Sequence, residues 1–414
     1  MRQTTDISEN NQQKPGKSRL QVVLLFIGII MIAMTLRAPI TSVGPLIEII
    51  RNDTGMSHTL VGLLTTFPLL AFALLSPVAP KIARKWGIER TLFVGVFAVT
   101  AGIVLRYLPS ITSLFAGTIL LGLGIALSNV LLPSLIKRDF PNKVGVMMGT
   151  YSVSMNIFAA LASGISFPLA QYSSTGWRGS LVMWGILSFV ALMIWLPQLR
   201  SIQHEAPNVQ ISAKSNVWRS KLAWQVTIVM GLQSFIFYSV VAWLPEILTQ
   251  RGMSSSTAGW MLSLMQFFSV PVTFVVPILA ARFKNQRGLI LATFACFILG
   301  LGVLLTGSRS LVPLAVIPIG IGTGAAFGLV TMFFVLRSRS VNQSAELSGM
   351  AQSIGYLLAA AGPLLFGFVH DLTNSWTSAI VLLIVASVIY MLAGLGAGSN
   401  RFIGEENNKK TSVS

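Results

Sequence analysis

The chain has 414 residues, 53% of them hydrophobic and only 10% charged, with a formal net charge of +17. An average soluble protein is about 25% charged, so this composition excludes an ordinary soluble domain and points to a chain solvated by lipid. The lone cysteine, Cys296, excludes an intrachain disulfide and any cysteine-built metal site.

Residues 1–20 are polar and of mixed charge, and read as a cytoplasmic tail without a packed core. The apolar run that follows is too long for a signal-peptide core and lacks a small-residue cleavage site, so it reads as a retained span. Twelve apolar runs are each close to the ~20 residues that a helix needs to cross hydrocarbon. The first six are Val22–Val43, Thr59–Val78, Thr91–Leu108, Ile111–Ile136, Val144–Ala170 and Ser180–Leu196. The second six are Leu222–Leu248, Thr257–Ala280, Leu289–Thr306, Leu311–Leu336, Ala345–Val369 and Trp376–Ala397. Lipid offers the backbone no hydrogen bonds, so each run is expected to be a helix. The expected fold class is an all-α membrane protein.

The basic charge is distributed by side. With the N-terminus placed inside, the tails and the loops on that side hold 23 of the 29 Lys and Arg residues. The opposite loops hold five, namely Arg51, Arg106, Arg178, Arg251 and Arg309. This is the positive-inside pattern with both termini cytoplasmic. The charge therefore encodes orientation, and nucleic acid is not an expected partner.

Pro197–Lys221 is the longest internal loop and divides the spans six and six. The expected organisation is a tail over 1–20, a six-helix half over 21–197, a cytoplasmic linker over 198–221, a second half over 222–397 and a tail over 398–414. The halves echo each other. Gly55-Met56-Ser57 recurs as Gly252-Met253-Ser254, Gly62 as Gly259, Arg84 as Arg282, Trp177 as Trp376 and Pro45 as Pro245. Offsets confined to 197–200 indicate a parallel internal repeat, a plan used by one large class of transporters.

Twelve spans as six plus six, with a basic loop after the second, resemble the major facilitator superfamily. Leu36–Pro45 (LRAPITSVGP), Leu131–Pro141 (LLPSLIKRDFP) and Leu347–Pro363 (LSGMAQSIGYLLAAAGP) resemble its cyanate porter branch. With Leu222–Thr227 (LAWQVT) and Trp243–Pro245 (WLP), the wording is most similar to the 2-nitroimidazole transporter type. The resemblance implies the major facilitator fold and secondary transport of a small solute. One departure stands out. The superfamily's loop after the second span usually carries a Gly and an Asp where this chain has Pro80 and Arg84, while Gly87 and the general basicity are kept. The interhelical charge relay made by that Asp is therefore not expected in its usual form.

Arg37 is the one basic residue expected at lipid depth. At 1.5 Å per residue from Val22 it lies about 22 Å into a core about 30 Å thick. A cation there either snorkels, ties helices together through carbonyls, or faces a cavity and binds an anionic or strongly polar ligand. No acid lies within the spans to pair with it, since all 12 Asp and Glu residues fall in tails, loops or span edges. A guanidinium suits flat acceptors such as carboxylate or nitro groups. The repeat carries Arg37 to Phe237, beside Tyr238, so these aromatics are expected to face it or else to pack against lipid.

The spans also hold the polar residues Asn129, Tyr151, Ser154, Asn156, Gln233, Gln266, Gln352 and Tyr356. Such groups line cavities or bond helices together. Asn129, Tyr151, Gln352 and Tyr356 fall in spans that line the cavity in superfamily members, and with Arg37, Phe237 and Tyr238 they form the candidate substrate-binding set. Gly122–Gly124 and Gly320–Gly324 lack the strand that a nucleotide loop requires and read as helix-packing glycines.

The expected function is transport by alternating access of a small anionic or polar planar solute, cyanate-like or nitroimidazole-like, across the cell membrane. The alternative is export of another small organic compound or drug without anion specificity. No catalytic cluster is legible, so no enzyme is expected, and no cofactor or metal. A channel would need a ring of charges or carbonyls that a two-fold repeat does not supply. A proton relay is not evident either. Glu48, Glu246 and His370-Asp371 are the nearest candidates and read as loop residues. The expected partners are the solute and the bilayer, with the chain a monomer.

Overall fold

A computed structural model describes residues 19–56, 58–172, 174–201 and 217–404. Helices account for its regular structure, and the described residues contain no strand. The expected tails and most of the expected linker lie outside the described residues.

The first half runs α1 (Arg19–Thr35), α2 (Ala38–Thr41), α3 (Ile47–Thr54), α4 (His58–Leu75), α5 (Ala79–Trp86), α6 (Ile88–Leu105), α7 (Ile111–Asp139), α8 (Val144–Tyr172) and α9 (Gly176–Trp195). The second runs α10 (Lys221–Gln250), α11 (Ser255–Arg282), α12 (Arg287–Leu305), α13 (Val312–Leu336), α14 (Val341–Thr373) and α15 (Trp376–Ala397). Eleven described spans are long and apolar enough to cross a membrane, and a bent pair, Thr66–Leu75 with Ala79–Trp86 at 57°, makes the twelfth. The bend follows from Pro77 and Pro80, which cannot donate to the helix ladder.

Two expectations about the chain's path need correcting. The first span is not one helix, because α1 stops at Thr35 and a single turn, α2, restarts after Arg37. Pro39 has no N–H to give Thr35 and disfavours helix at the residue before it. Its repeat counterpart at an offset of 200 is Ser239, and α10 runs through that position unbroken. Second, His370 is no loop residue. It lies inside α14 with its ring stacked 3.8 Å from that of Trp376. The side chains of Glu48 and Glu246 lie outside the described residues.

The repeat is visible in contacts. Trp177 donates its indole N–H to Asp53 at 3.0 Å, and Trp376 donates to Gln250 at 2.6 Å. Arg138 reaches Glu89 at 2.5 Å from the end of α7 to the start of α6, and Arg337 reaches Gln286 from the end of α13 to the start of α12. Gly55 and Gly252 both hold positive φ, at 68° and 81°, where a side chain would be strained.

Small residues let the spans close on one another. A Cβ on Gly102 would come within 2.6 Å of the Gly117 carbonyl on α7, and one on Gly300 within 2.6 Å of the Ala315 carbonyl on α13. The glycine-rich runs are likewise packing surfaces, since a Cβ on Gly122 would press on Pro68 of α4 at 2.9 Å and one on Gly320 on the Met265 carbonyl of α11. Gly102→Ala is expected to cost about 1–3 kcal/mol, because the atoms in the way are backbone. Gly302→Ala, with nothing within 4 Å, should cost far less, and thermal unfolding in detergent checks the pair.

The Trp177 N–H, together with Arg178 at 2.9 Å, holds the Asp53 carboxyl below the usual carboxylate range. A depressed folded value stabilises the contact above the unfolded pKa of about 3.9 and loses that effect as pH falls through the lower value. Protection from hydrogen exchange over residues 47–54, taken relative to the intrinsic rate at each pH, is therefore expected to fall as the pH drops below about 4 in the wild type, and to lose that dependence in Asp53→Asn.

Candidate functional site

A cavity of about 910 Å³ lies between the two halves. The break between α1 and α2 places Arg37 in its wall. The guanidinium lies over the Phe327 ring of α13, 4.8 Å from its centroid, and 5.9 Å from that of Phe237 on α10. Its Nη1 donates to Asn156 Oδ1 of α8 at 2.7 Å, the only hydrogen bond from that side chain among the described residues. No guanidinium nitrogen of Arg37 is both sealed from solvent and unpartnered, in keeping with a donor fork that opens on the cavity. Thr41 Oγ1 ties α2 to α8 through the Ala159 carbonyl at 3.0 Å.

The other expected site residues all line the same cavity. Tyr151 donates to Asn129 Oδ1 at 3.1 Å, and Gln352 Nε2 donates to the Asn129 carbonyl at 3.2 Å and to Ser348 Oγ at 2.8 Å. These bonds run from α8 to α7 and from α14 to α7, so they also hold helices together. Tyr356 meets Phe72 edge-on at 5.0 Å, and Phe237 meets Tyr238 edge-on at 5.2 Å. No Asp or Glu lines the cavity among the described residues. The wall is thus one cation, a few amides and phenols, and flat aromatic faces. It can hold a small planar anion or dipole by forked hydrogen bonds and ring stacking.

Two residues of the site are not in the expected set. Asn156 is legible only as one more polar residue in a span. Phe327 sits in an apolar run and reads as lipid packing, yet it is the counterpart of Asn129 at an offset of 198. The repeat that located Phe237 could have found it.

Comparison with known proteins fits this picture. The Major Facilitator Superfamily family model matches residues 24–363. The chain belongs to that superfamily. It is 49% identical to the uncharacterized transporter YycB of Bacillus subtilis, over 96% of this chain and 99% of that one. It is 42% identical to the 2-nitroimidazole transporter of Escherichia coli, over 94% and 98% of the two chains. It is 25% identical to the cyanate transport protein CynX of Escherichia coli, over 84% and 90%. A tryptophan-substituted XylE superposes with a TM-score of 0.73 at 13% identity, over 90% of this chain and 94% of that one, a likeness of fold. The protein is a multi-pass membrane transporter of the cyanate and nitroimidazole branch, not an enzyme.

In this transporter the halves meet at the end that carries the basic loops. There Gly145 and Gly149 of α8 abut Ala281 and Phe274 of α11, and Gly349 of α14 abuts the Ser76 carbonyl. Ser353 donates to the Ala73 carbonyl at 2.5 Å. Arg84 pairs with Glu346 of the other half, so the basic loop makes a charged contact between halves without the usual Asp. Lys137 Nζ binds the end of α13, at 2.9 Å from the Val335 carbonyl and 2.8 Å from Ser338 Oγ. Toward the opposite end Gly164 of α8 has nothing within 4 Å, and the cavity continues there past Leu161, Ile165, Ser263 and Phe267.

Lys137→Met removes a charged donor from this closure, a contact worth about 1.5–3 kcal/mol. A cysteine at Ser348, fully buried in the same closure, should then react about tenfold faster or more with an impermeant maleimide added at the basic end of a Cys296→Ala protein. Unchanged labelling would show that the ammonium does not hold this end shut.

Proposed function

We propose that this protein is a secondary transporter of a small planar solute, anionic or heteroaromatic, of the cyanate or nitroimidazole kind. The carrying observation is Arg37, a guanidinium on the cavity wall with an amide and two aromatic rings around it and no carboxylate in the described lining. A cation without an acidic mate at lipid depth favours an anion or a strong dipole. Asn129, Tyr151, Phe237, Tyr238, Gln352 and Tyr356 would supply the remaining polar and aromatic contacts. Two relatives at 42% and 25% identity are named for 2-nitroimidazole and cyanate, which supports the same solute class.

The positive-inside pattern supports cytoplasmic termini, and the closed basic end would then face the cytoplasm with the cavity turned outward. The chain would work as a monomer, each half swinging about the shared site, and without nucleic acid. Moving one negative charge inward against 100 mV costs about 2.3 kcal/mol, so uptake of an anion needs a coupled ion. With no carboxylate in the described lining, export or movement of a neutral solute needs the fewest parts.

Purified protein tested with cyanate, nitrate, short carboxylates and 2-nitroimidazole should bind at least one of the four. Arg37→Lys keeps the charge and loses the fork, and is expected to weaken that binding about tenfold to a hundredfold. Phe327→Ala should weaken it about twofold to tenfold. Equal binding by wild type and Arg37→Lys would overturn the role of Arg37 and leave export of an organic compound without anion specificity.

A further inference from the structure

A second arginine lies close to the first. Arg106 caps α6 and is expected, from its place at the end of an apolar run, to be one of the five arginines of the external loops. It does lie in the turn after α6, yet it is 1% exposed. Its Nη1 donates to the Pro39 carbonyl at 2.8 Å. Its Nε and Nη2 are buried without a hydrogen-bond partner. The aliphatic stem lies on Gly117 of α7, where a Cβ would come within 2.8 Å of Cγ. Arg106 does not line the cavity.

A side chain so placed is a poor stabiliser of the fold. A buried guanidinium with two idle donors is costly, and an apolar side chain of the same size is often neutral or better at such a site. Among the described residues the Pro39 carbonyl, for its part, accepts no backbone hydrogen bond, because the neighbouring N–H groups of Thr41, Ser42 and Val43 go to Arg37, Ala38 and Ile40. The turn that contains it is four residues long, too short to hold its place by helix propagation. That turn is built on Arg37 itself, whose carbonyl accepts from Ile40 and from Thr41, both at 3.0 Å. Whatever fixes the turn fixes the root of the Arg37 side chain.

We propose that Arg106 is a positioning residue for the solute site, which by holding the Pro39 carbonyl sets the broken turn from which Arg37 reaches the cavity. The inference rests on the reading of Arg37 given above. It makes the site a pair of cations with separate tasks, one in contact with the solute and one behind it.

The test uses the full chain in lipid vesicles, with Arg106→Met and Arg106→Lys, and three readouts. Arg106→Met should keep or raise the melting temperature, since it removes the idle donors. Hydrogen exchange over residues 38–43 should become about tenfold faster while α6 and α7 stay protected. The apparent KM for 2-nitroimidazole or cyanate should rise about tenfold with the maximal rate within about twofold. Arg106→Lys, which keeps one donor for the Pro39 carbonyl, should recover most of both effects. If Arg106→Met does not fold, Arg106→Gln takes its place with the same readouts. Unchanged exchange over 38–43 overturns the proposal, as does faster exchange with an unchanged KM, or a loss of affinity that only tracks a fall in melting temperature. If the wild type handles neither probe, nor nitrate, nor a short carboxylate, the proposed solute reading falls, while the exchange measurement still decides whether Arg106 holds the turn.

Discussion

The structure depends on how a guanidinium is kept inside an apolar bundle. Among the described residues, Arg37 meets this cost with polarisable and neutral partners, the Phe327 and Phe237 rings and the Asn156 amide, and not with a carboxylate. An acid at the same place would neutralise it and close its fork, and the site would then offer an incoming anion nothing. Ring faces attract the cation without using up its N–H groups. Under the proposed function, the desolvation left unmet is what a solute would satisfy on binding.

The same requirement explains why the first span is broken. A continuous helix would aim residue 37 according to the helix phase alone. Pro39 interrupts the ladder, and the short turn after it is then held from two sides, by Arg106 on the Pro39 carbonyl and by Thr41 on the Ala159 carbonyl. Discontinuous helices at substrate sites are a recurrent device of transporters, because free backbone groups and re-aimed side chains occur together there.

Much of this was legible in the amino-acid order, and the exceptions have physical reasons. Runs of about 20 apolar residues marked the helices, because lipid leaves the backbone no other choice. Arg37 stood out because it alone interrupts a run with charge, and the repeat offset carried it correctly to Phe237. Phe327 was hidden because a phenyl ring that stacks on a cation and one that faces lipid have the same neighbours in sequence. The burial of Arg106 was hidden for a related reason. Its run ends in Tyr107, Leu108 and Pro109, which is what a loop looks like, and its burial is created by the next helix, α7, together with α2, which is remote in the chain. The role of Arg84 was obscured in the same way, since its partner Glu346 lies 262 residues away.

The matched contacts of the two halves are alike in placement and unequal in charge. Where the first half joins its helices with Glu89 and Asp53, the second uses Gln286 and Gln250 at the corresponding places. Mobile ions screen the exposed Asp53–Arg178 pair, while the buried Arg138–Glu89 pair is screened little. Ionic strength therefore has one exposed pair to act on where α3 meets α9, while the matching contact of the second half joins the neutral side chains of Trp376 and Gln250.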